Sequence, residues 1–193
     1  MDFRFGTIDS PLGVVVAVAS PEGLVAVRVA DDPGHVLGAL AHEHRISPEP
    51  DQAAVADLTP QLDAYFAGRL REFEVPLDWR LVSGFALEAL QAVRDIPYGE
   101  TASYGEVAAM AGRPRAHRAV GTACRDTPFS LVVPVHRVIR ADGKLGEYGG
   151  FPEHKQFLVA LERAAVGRDA GGGSERAGRR DDAATPQNER DRG

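Results

Sequence analysis

The sequence predicts a mixed α/β (α+β) fold: a small antiparallel sheet in the N-terminal part, then a helical part holding a helix-turn-helix. Three observations predict it. Valine- and isoleucine-rich runs separated by tight-turn chemistry fill the first thirty residues. Apolar residues recur at helical spacing through much of the chain from Val36 to Ala165. Two short helical patterns between Thr101 and Arg125 are parted by Gly112-Arg113-Pro114.

Phe3 to Ile8, Val14 to Val18 and Leu24 to Val29 read as strands of a three-stranded meander. Asp9-Ser10-Pro11-Leu12-Gly13 and Ser20-Pro21-Glu22-Gly23 supply the turns between them. Val36 to His44 is predicted as a helix, and Ser47 to Asp51, with two prolines, as a loop. Leu58, Leu62, Tyr65 and Phe66 mark a helix over Leu58 to Ala67 that Gly68 stops. Phe73 to Leu77 is predicted as a short strand. Phe85, Leu87, Leu90 and Val93 mark a helix over Gly84 to Asp95, which Pro97 and Gly99 end. Thr101 or Ser103 can cap the next helix, which reaches Ala111. Arg115 to Arg125 comes next as a second short helix, and the pair fits a helix-turn-helix unit. Leu131 to Val133 is an apolar run into Pro134, Gly143 to Gly150 a glycine-rich loop, and His154 to Ala165 a last helix. After Gly167 large apolar side chains almost vanish, so residues 167–193 are expected to be a disordered tail. The expected domains are 1–82 and 83–166.

The 193 residues contain one cysteine, Cys124, which excludes an internal disulfide. His35, His42, His44, His117 and His154 have no metal-ligand spacing, so no metal or cofactor is expected. No apolar run approaches the roughly 18 residues of a membrane span, and no signal peptide is visible. A cytoplasmic monomer is the expectation. The net charge of −6 is uneven: residues 1–82 carry −7 and residues 83–166 carry +1. The acidity therefore sits away from the helical part, which leaves room there for a basic face. Lys144 and Lys155 are the only lysines.

Five segments carry more specific information. They are Ile96-Pro97-Tyr98-Gly99-Glu100-Thr101, Ser103-Tyr104-Gly105, Arg118-Ala119-Val120-Gly121, Pro134-Val135-His136-Arg137-Val138-Ile139 and Gly146-Glu147-Tyr148-Gly149-Gly150. Together and in this order they resemble the O6-alkylguanine-DNA alkyltransferase family, over about residues 3–165. The resemblance implies an N-terminal domain of ribonuclease-H-like topology and a helical DNA-binding domain. It implies that double-stranded DNA containing O6-alkylguanine is the partner, with the second helix of the helix-turn-helix, carrying Arg115, Arg118 and Arg125, in the minor groove. Arg118 matches the arginine that fills the hole left by a flipped-out guanine. Tyr104 matches the tyrosine that crowds the 3′ phosphate and can donate to the base. The carbonyls of Val135 and Val138 would accept from the edge of the flipped base. Tyr148 and Gly149 would complete the alkylguanine pocket with Tyr104, Val135 and Val138. His136 and Glu162 match the pair that deprotonates the family's cysteine through a water. Read alone, Arg118 is a solvated surface arginine, Tyr104 a half-buried packing residue and Glu162 a solvent-facing helix carboxylate.

Two departures from the family pattern matter. The family reads Pro-Cys-His-Arg-Val where this chain has Val135 in the cysteine's place. Alkyl transfer needs an anionic sulfur, and valine has no lone pair. Thr127 stands where the family has an asparagine that braces the recognition helix against the active-site turn, and threonine makes fewer hydrogen bonds. Cys124 is read as a small semi-buried side chain, not a substitute nucleophile. The implied activity is therefore recognition of O6-alkylguanine without repair, similar to alkyltransferase-like proteins that hand lesions to excision-repair proteins. The alternative is a suicide DNA repair methyltransferase inactivated by a natural or engineered Cys-to-Val change. A hydrolytic dealkylase and a DNA-binding module without lesion specificity are further alternatives.

Overall fold

The computed structural model describes residues 2–146 and 151–176. Strands β1 (Arg4–Ser10), β2 (Gly13–Ser20) and β3 (Gly23–Ala30) form the expected antiparallel meander. The predicted loop 47–51 contributes a fourth, two-residue strand. β4 (Glu49–Pro50) pairs parallel with Arg4 and Phe5, giving the order β3-β2-β1-β4. Pro50 is tolerated because β4 is an edge strand, where a missing N–H breaks no ladder. Val15 to Val18 are all buried, because both faces of the sheet are covered. One face packs on α1 (Pro33–His44), which is capped by Asp32, through Val18, Val25, Leu40 and Ile46. The other packs on α2 (Leu58–Phe66) through Ile8, Val15, Leu62 and Tyr65, and the same cluster takes in Leu131 and Leu158 from the second half of the chain. The two halves thus share a core.

The strand expected at Phe73 to Leu77 does not form. Only an isolated bridge joins Leu24 to Leu77, flanked by Leu24 N to Pro76 O and Asp78 N to Leu24 O, both 2.8 Å. Pro76 has no N–H with which to extend a ladder. The same edge of β3 holds a second segment: Val27 N donates to Pro128 O at 2.7 Å, and Ser130 N donates to Val27 O at 2.8 Å. The edge of the sheet therefore grips both the connection between the halves and the stretch around Pro128 to Ser130.

The second half contains α3 (Gly84–Arg94), α4 (Tyr104–Met110) and α5 (His117–Asp126) around a core of Leu90, Val93, Val107, Val120, Phe129 and Val135. Ser103 caps α4 in a full capping box with Glu106. Two-residue strands β5 (Ala102–Ser103) and β6 (Val138–Ile139) pair in parallel and bring the start of α4 against the end of the Val135 turn. The last helix, α6, spans Pro152–Arg176 and so runs well past the expected end at Ala165. Its continuation is anchored beside the end of α2: Asp169 pairs with Arg71, and the Arg168 guanidinium sits where a side chain on Gly68 would be, 2.7 Å from an ideal Cβ. Gly68 stops α2 at φ 69° and leaves that room. Residues 177–193 of the expected tail lie outside the described residues.

Candidate functional site

The Val135 run is built from three consecutive tight turns. Val132 N donates to Ser130 O at 2.8 Å around Leu131, whose φ is 70°. This is the rare and strained sense of γ-turn, and full burial of Leu131 holds it in place. Val135 N then donates to Val133 O at 2.8 Å around Pro134 at φ −80° and ψ 58°, an inverse γ-turn. A 3-10 turn over Val135–Arg137 completes the run. Val135 is buried in the apolar core between α3, α4 and α5.

The next two residues enter a buried polar cluster centred on Glu162, which is 1% exposed. The Glu162 carboxylate accepts from His136 Nε2 at 2.8 Å, Tyr65 Oη at 2.8 Å, Arg137 Nε at 3.0 Å and Arg137 Nη2 at 3.0 Å. Gly99 N donates to its second oxygen at 2.9 Å. Gly99 has φ 83°, and a Cβ there would lie 2.7 Å from Val166 Cγ2, so the position suits only glycine. Arg137 Nη1 also donates to Ile96 O at 2.6 Å, and its guanidinium lies 5.5 Å from the Tyr98 ring centroid. Burial works against the Glu162 carboxylate, but the hydrogen bonds and charges of His136 and Arg137 outweigh it and bring the group down to about 2. Burial lowers His136 against the opposing pull of Glu162. Burial, reinforced by Glu162, raises Tyr65 well above its ordinary value. An ionised Glu162 is acceptor-only, so His136 donates to it from Nε2. Glu162 is thus not the solvent-facing carboxylate of the plain helix reading.

The helix-turn-helix presents the other predicted residues. Tyr104 opens α4, half-buried, with its ring against Gly121 of α5 and its hydroxyl beside Gly146; a Cβ on either glycine would lie 3.9 Å from Cε1 or 3.5 Å from Oη respectively. The second helix starts at His117, not at Arg115 as expected, so Arg115 is exposed in the turn before α5, and Arg118 is exposed in its first turn. Arg125 is exposed at its end and lies in a fork with Asp126, 2.8 and 3.1 Å. Arg113, in the turn, is drawn back onto the body by Glu88 at 3.4 Å and by the Phe85 ring. Thr127 is buried and offers DNA no surface; its hydroxyl accepts from Phe129 N at 3.2 Å. The stretch after α5 is held by that local turn and by the β3 edge at Pro128 and Ser130. Tyr148 and Gly149 lie outside the described residues.

Three participants escape a reading of the sequence alone. Tyr65 counts there as one apolar position of α2, and Arg137 as part of a motif without a task. Lys155 is 1% exposed, and its Nζ donates to Val138 O at 2.5 Å. Burial pushes its ammonium down to about 8. A signal for it exists: it is one of two lysines in a chain that otherwise uses arginine. Cys124 sits on α5 against the core that includes Val135, and burial pushes its thiol up to about 12 in spite of the nearby Lys155 charge. It is no thiolate near neutral pH. Among the described residues no group of three His, Cys, Asp or Glu is placed to hold a metal, and no helix is long and apolar enough to cross a membrane.

Comparison with known proteins agrees with this geometry. The family model for the 6-O-methylguanine DNA methyltransferase ribonuclease-like domain matches residues 3–79, and that for the DNA-binding domain matches residues 84–164. The chain belongs to the 6-O-methylguanine DNA methyltransferase family. A methylated-DNA–protein-cysteine methyltransferase of Mycolicibacterium paratuberculosis is 43% identical over 83% of this chain and 92% of its own length. One of Methanosarcina acetivorans is 37% identical over 82% and 97%. The crystal structure of the Mycobacterium tuberculosis O6-methylguanine methyltransferase superposes with a TM-score of 0.73 at 40% identity, covering 84% of this chain and 94% of that one. The Mycobacterium tuberculosis protein in complex with DNA gives the same score and identity, covering 86% and 94%. The family's mixed fold, a small sheet followed by a helical DNA-binding part, is the fold of this chain.

Proposed function

We propose that this chain recognises O6-alkylguanine in double-stranded DNA and holds it without taking the alkyl group. The observation that carries this reading is the state of the Val135 turn. The polar cluster of His136, Glu162, Tyr65 and Arg137 is complete beside it, while the position itself is a buried valine and the chain's one thiol is held protonated. Valine has no lone pair to accept an alkyl group, so the pocket can bind but not react.

In this reading α5 enters the minor groove, with Arg115 steering towards phosphates and Arg118 replacing the extruded base in the stack. Extrusion is required because the O6 edge of a guanine is inaccessible inside a duplex, and it costs least where pairing is already weakened. Tyr104 crowds the 3′ phosphate. The carbonyls of Val135 and Val138 receive the base, whose O6 group lies beside Val135. The related protein of Mycobacterium tuberculosis that was crystallised with DNA supports the choice of partner. A lesion held and not repaired must be passed on, and excision-repair proteins are the class that can remove it. The test is a pair of titrations, with an O6-methylguanine duplex and its guanine counterpart at one salt concentration. Tighter binding to the lesion is expected, whereas equal affinities reduce the chain to a general DNA-binding module.

The completeness of the Glu162 cluster favours a second reading, an alkyltransferase that lost its acceptor by a natural or engineered change. Its relatives carry the name methyltransferase. Val135→Cys then restores stoichiometric methyl transfer to the protein. A folded but inert revertant argues for a dedicated sensor.

A further inference from the structure

A cleft of about 590 Å³ opens between the two halves of the chain, beside the end of α5. β3 lends it Arg28, α1 lends His35, Glu43 and His44, and α5 lends Arg125 and Asp126. Its walls are held in register. Val27 N donates to Pro128 O at 2.7 Å, so Arg28 is tied through its neighbour to the second residue past α5. Val27 is buried in the core on the α2 side of the sheet, and strand alternation turns Arg28 to the opposite face, towards α1. The Arg28 guanidinium makes no hydrogen bond and no ion pair among the described residues. Burial lowers it against the pull of Glu43 and Asp126, neither of which comes within ion-pair distance. Asp126 is held in the Arg125 fork, and Glu43 faces His44 of its own helix at 3.9 Å. Arg28 therefore brings five N–H donors to the cleft with no acceptor from the protein.

We propose that this cleft receives the DNA backbone beyond the stretch read by α5, with Arg28 binding a phosphodiester from the N-terminal half of the chain. Position and chemistry select that occupant. The cleft begins where α5 ends, and a ten-residue helix is about 15 Å long. A helix lying in a minor groove has a row of phosphates on each side, so the chain leaving its end must pass over one of them. A guanidinium meets two phosphate oxygens in a bidentate fork, which a phosphodiester offers and a base edge does not need to. Residues 1–82 carry −7, so the first half as a whole repels DNA, and a cation at the seam offsets that repulsion where the backbone comes nearest. The inference rests on the proposed seat of α5 in the minor groove. It does not rest on recognition of O6-alkylguanine, because a phosphodiester carries no base identity.

The test titrates the full-length protein and Arg28→Gln on an O6-methylguanine duplex and its guanine counterpart, each used long and then trimmed on either side of the central base pair in turn. Arg28→Gln is expected to weaken binding to both long duplexes about fivefold and to lower the slope of log affinity against log salt by about one. The loss should vanish on duplexes without the arm that lies under the end of α5. Arg28→Lys, which keeps the charge, recovers part of the affinity. Ala39→Glu sets a carboxylate on an exposed position of α1 that lines the cleft, clear of the core, and should give a loss with the same dependence on that arm. Lesion preference that persists while neither Arg28→Gln nor Ala39→Glu weakens binding would overturn this contact alone, and so would a loss that trimming neither arm removes. Equal binding of the two duplexes, with the dependence on Arg28 and on one arm retained, upholds the backbone contact and removes the proposed lesion recognition.

Discussion

The cluster around Glu162 and the outer face of α5 are held in opposite ways. Glu162 receives hydrogen bonds from Tyr65, Gly99, His136 and Arg137, and the three side chains among them are buried. The outer face of α5 rests on a stripe of Val120 and Ala123, while Arg115 and Arg118 stand in solvent and make no hydrogen bond or ion pair among the described residues. The first region is over-determined, because four residues converge on one carboxylate that holds them together. The second is open on one side, so its residues can change without disturbing the fold. In the proposed function, stability is vested in the first region and recognition in the second. Val135 sits between them, belonging to the apolar core of the second half but preceding the first member of the cluster by one residue.

The strongest way to break this contrast is Glu162→Ala. Removing the carboxylate strands the Arg137 guanidinium and the Tyr65 hydroxyl, and the loss in unfolding free energy should be about 4 kcal/mol by chemical denaturation. A loss below about 1 kcal/mol would mean that the cluster is not closed to water. Acid sharpens the same point. Glu162 titrates near 2 in the folded chain against an ordinary 4.5. Its contribution is therefore complete above about pH 4.5 and is lost as the pH falls towards 2, on the order of 3 kcal/mol in all. Denaturant midpoints at stepped pH should show this fall in the native protein and a flatter profile in Glu162→Gln. On the open face, Arg118→Ala should leave the melting temperature within about a degree and weaken binding to an O6-methylguanine duplex at least about tenfold. Binding to undamaged DNA should change little, and equal losses on both would reduce Arg118 to a phosphate contact. The smallest effect belongs to the support of Tyr104: Ser103→Ala removes the cap of α4 and should cost about 1 kcal/mol of stability.

The same division governs what can be read from the sequence. The meander is legible because its strands are continuous valine runs between turn residues of definite chemistry. The helix-turn-helix is legible because Gly112 and Pro114 interrupt two apolar periods. Arg118 and Tyr104 can be singled out as local motifs on exposed or half-buried elements. The members of the buried cluster come from α2, the Val135 turn and α6, and no local pattern announces that Tyr65 meets a carboxylate 97 positions later. Spacing alone assigns Tyr65 an apolar role, which its ring does fill; the partner of its hydroxyl depends on the fold. The predicted strand at Phe73 to Leu77 fails on Pro76, where a missing N–H outvotes side-chain alternation. The continuation of α6 past Gly167 depends on Gly68 and Arg71, a contact between distant segments that composition cannot report.

The central claim is binding without transfer, and a single-turnover assay tests it most directly. The protein, in excess, is incubated with a duplex whose O6-methylguanine carries a radiolabelled methyl group, while binding to the same duplex is titrated against an undamaged one. A pocket that binds without reacting gives lesion-selective binding with all of the label remaining on DNA. Label on the protein would contradict the claim and make Cys124, the chain's one thiol, the first residue to replace.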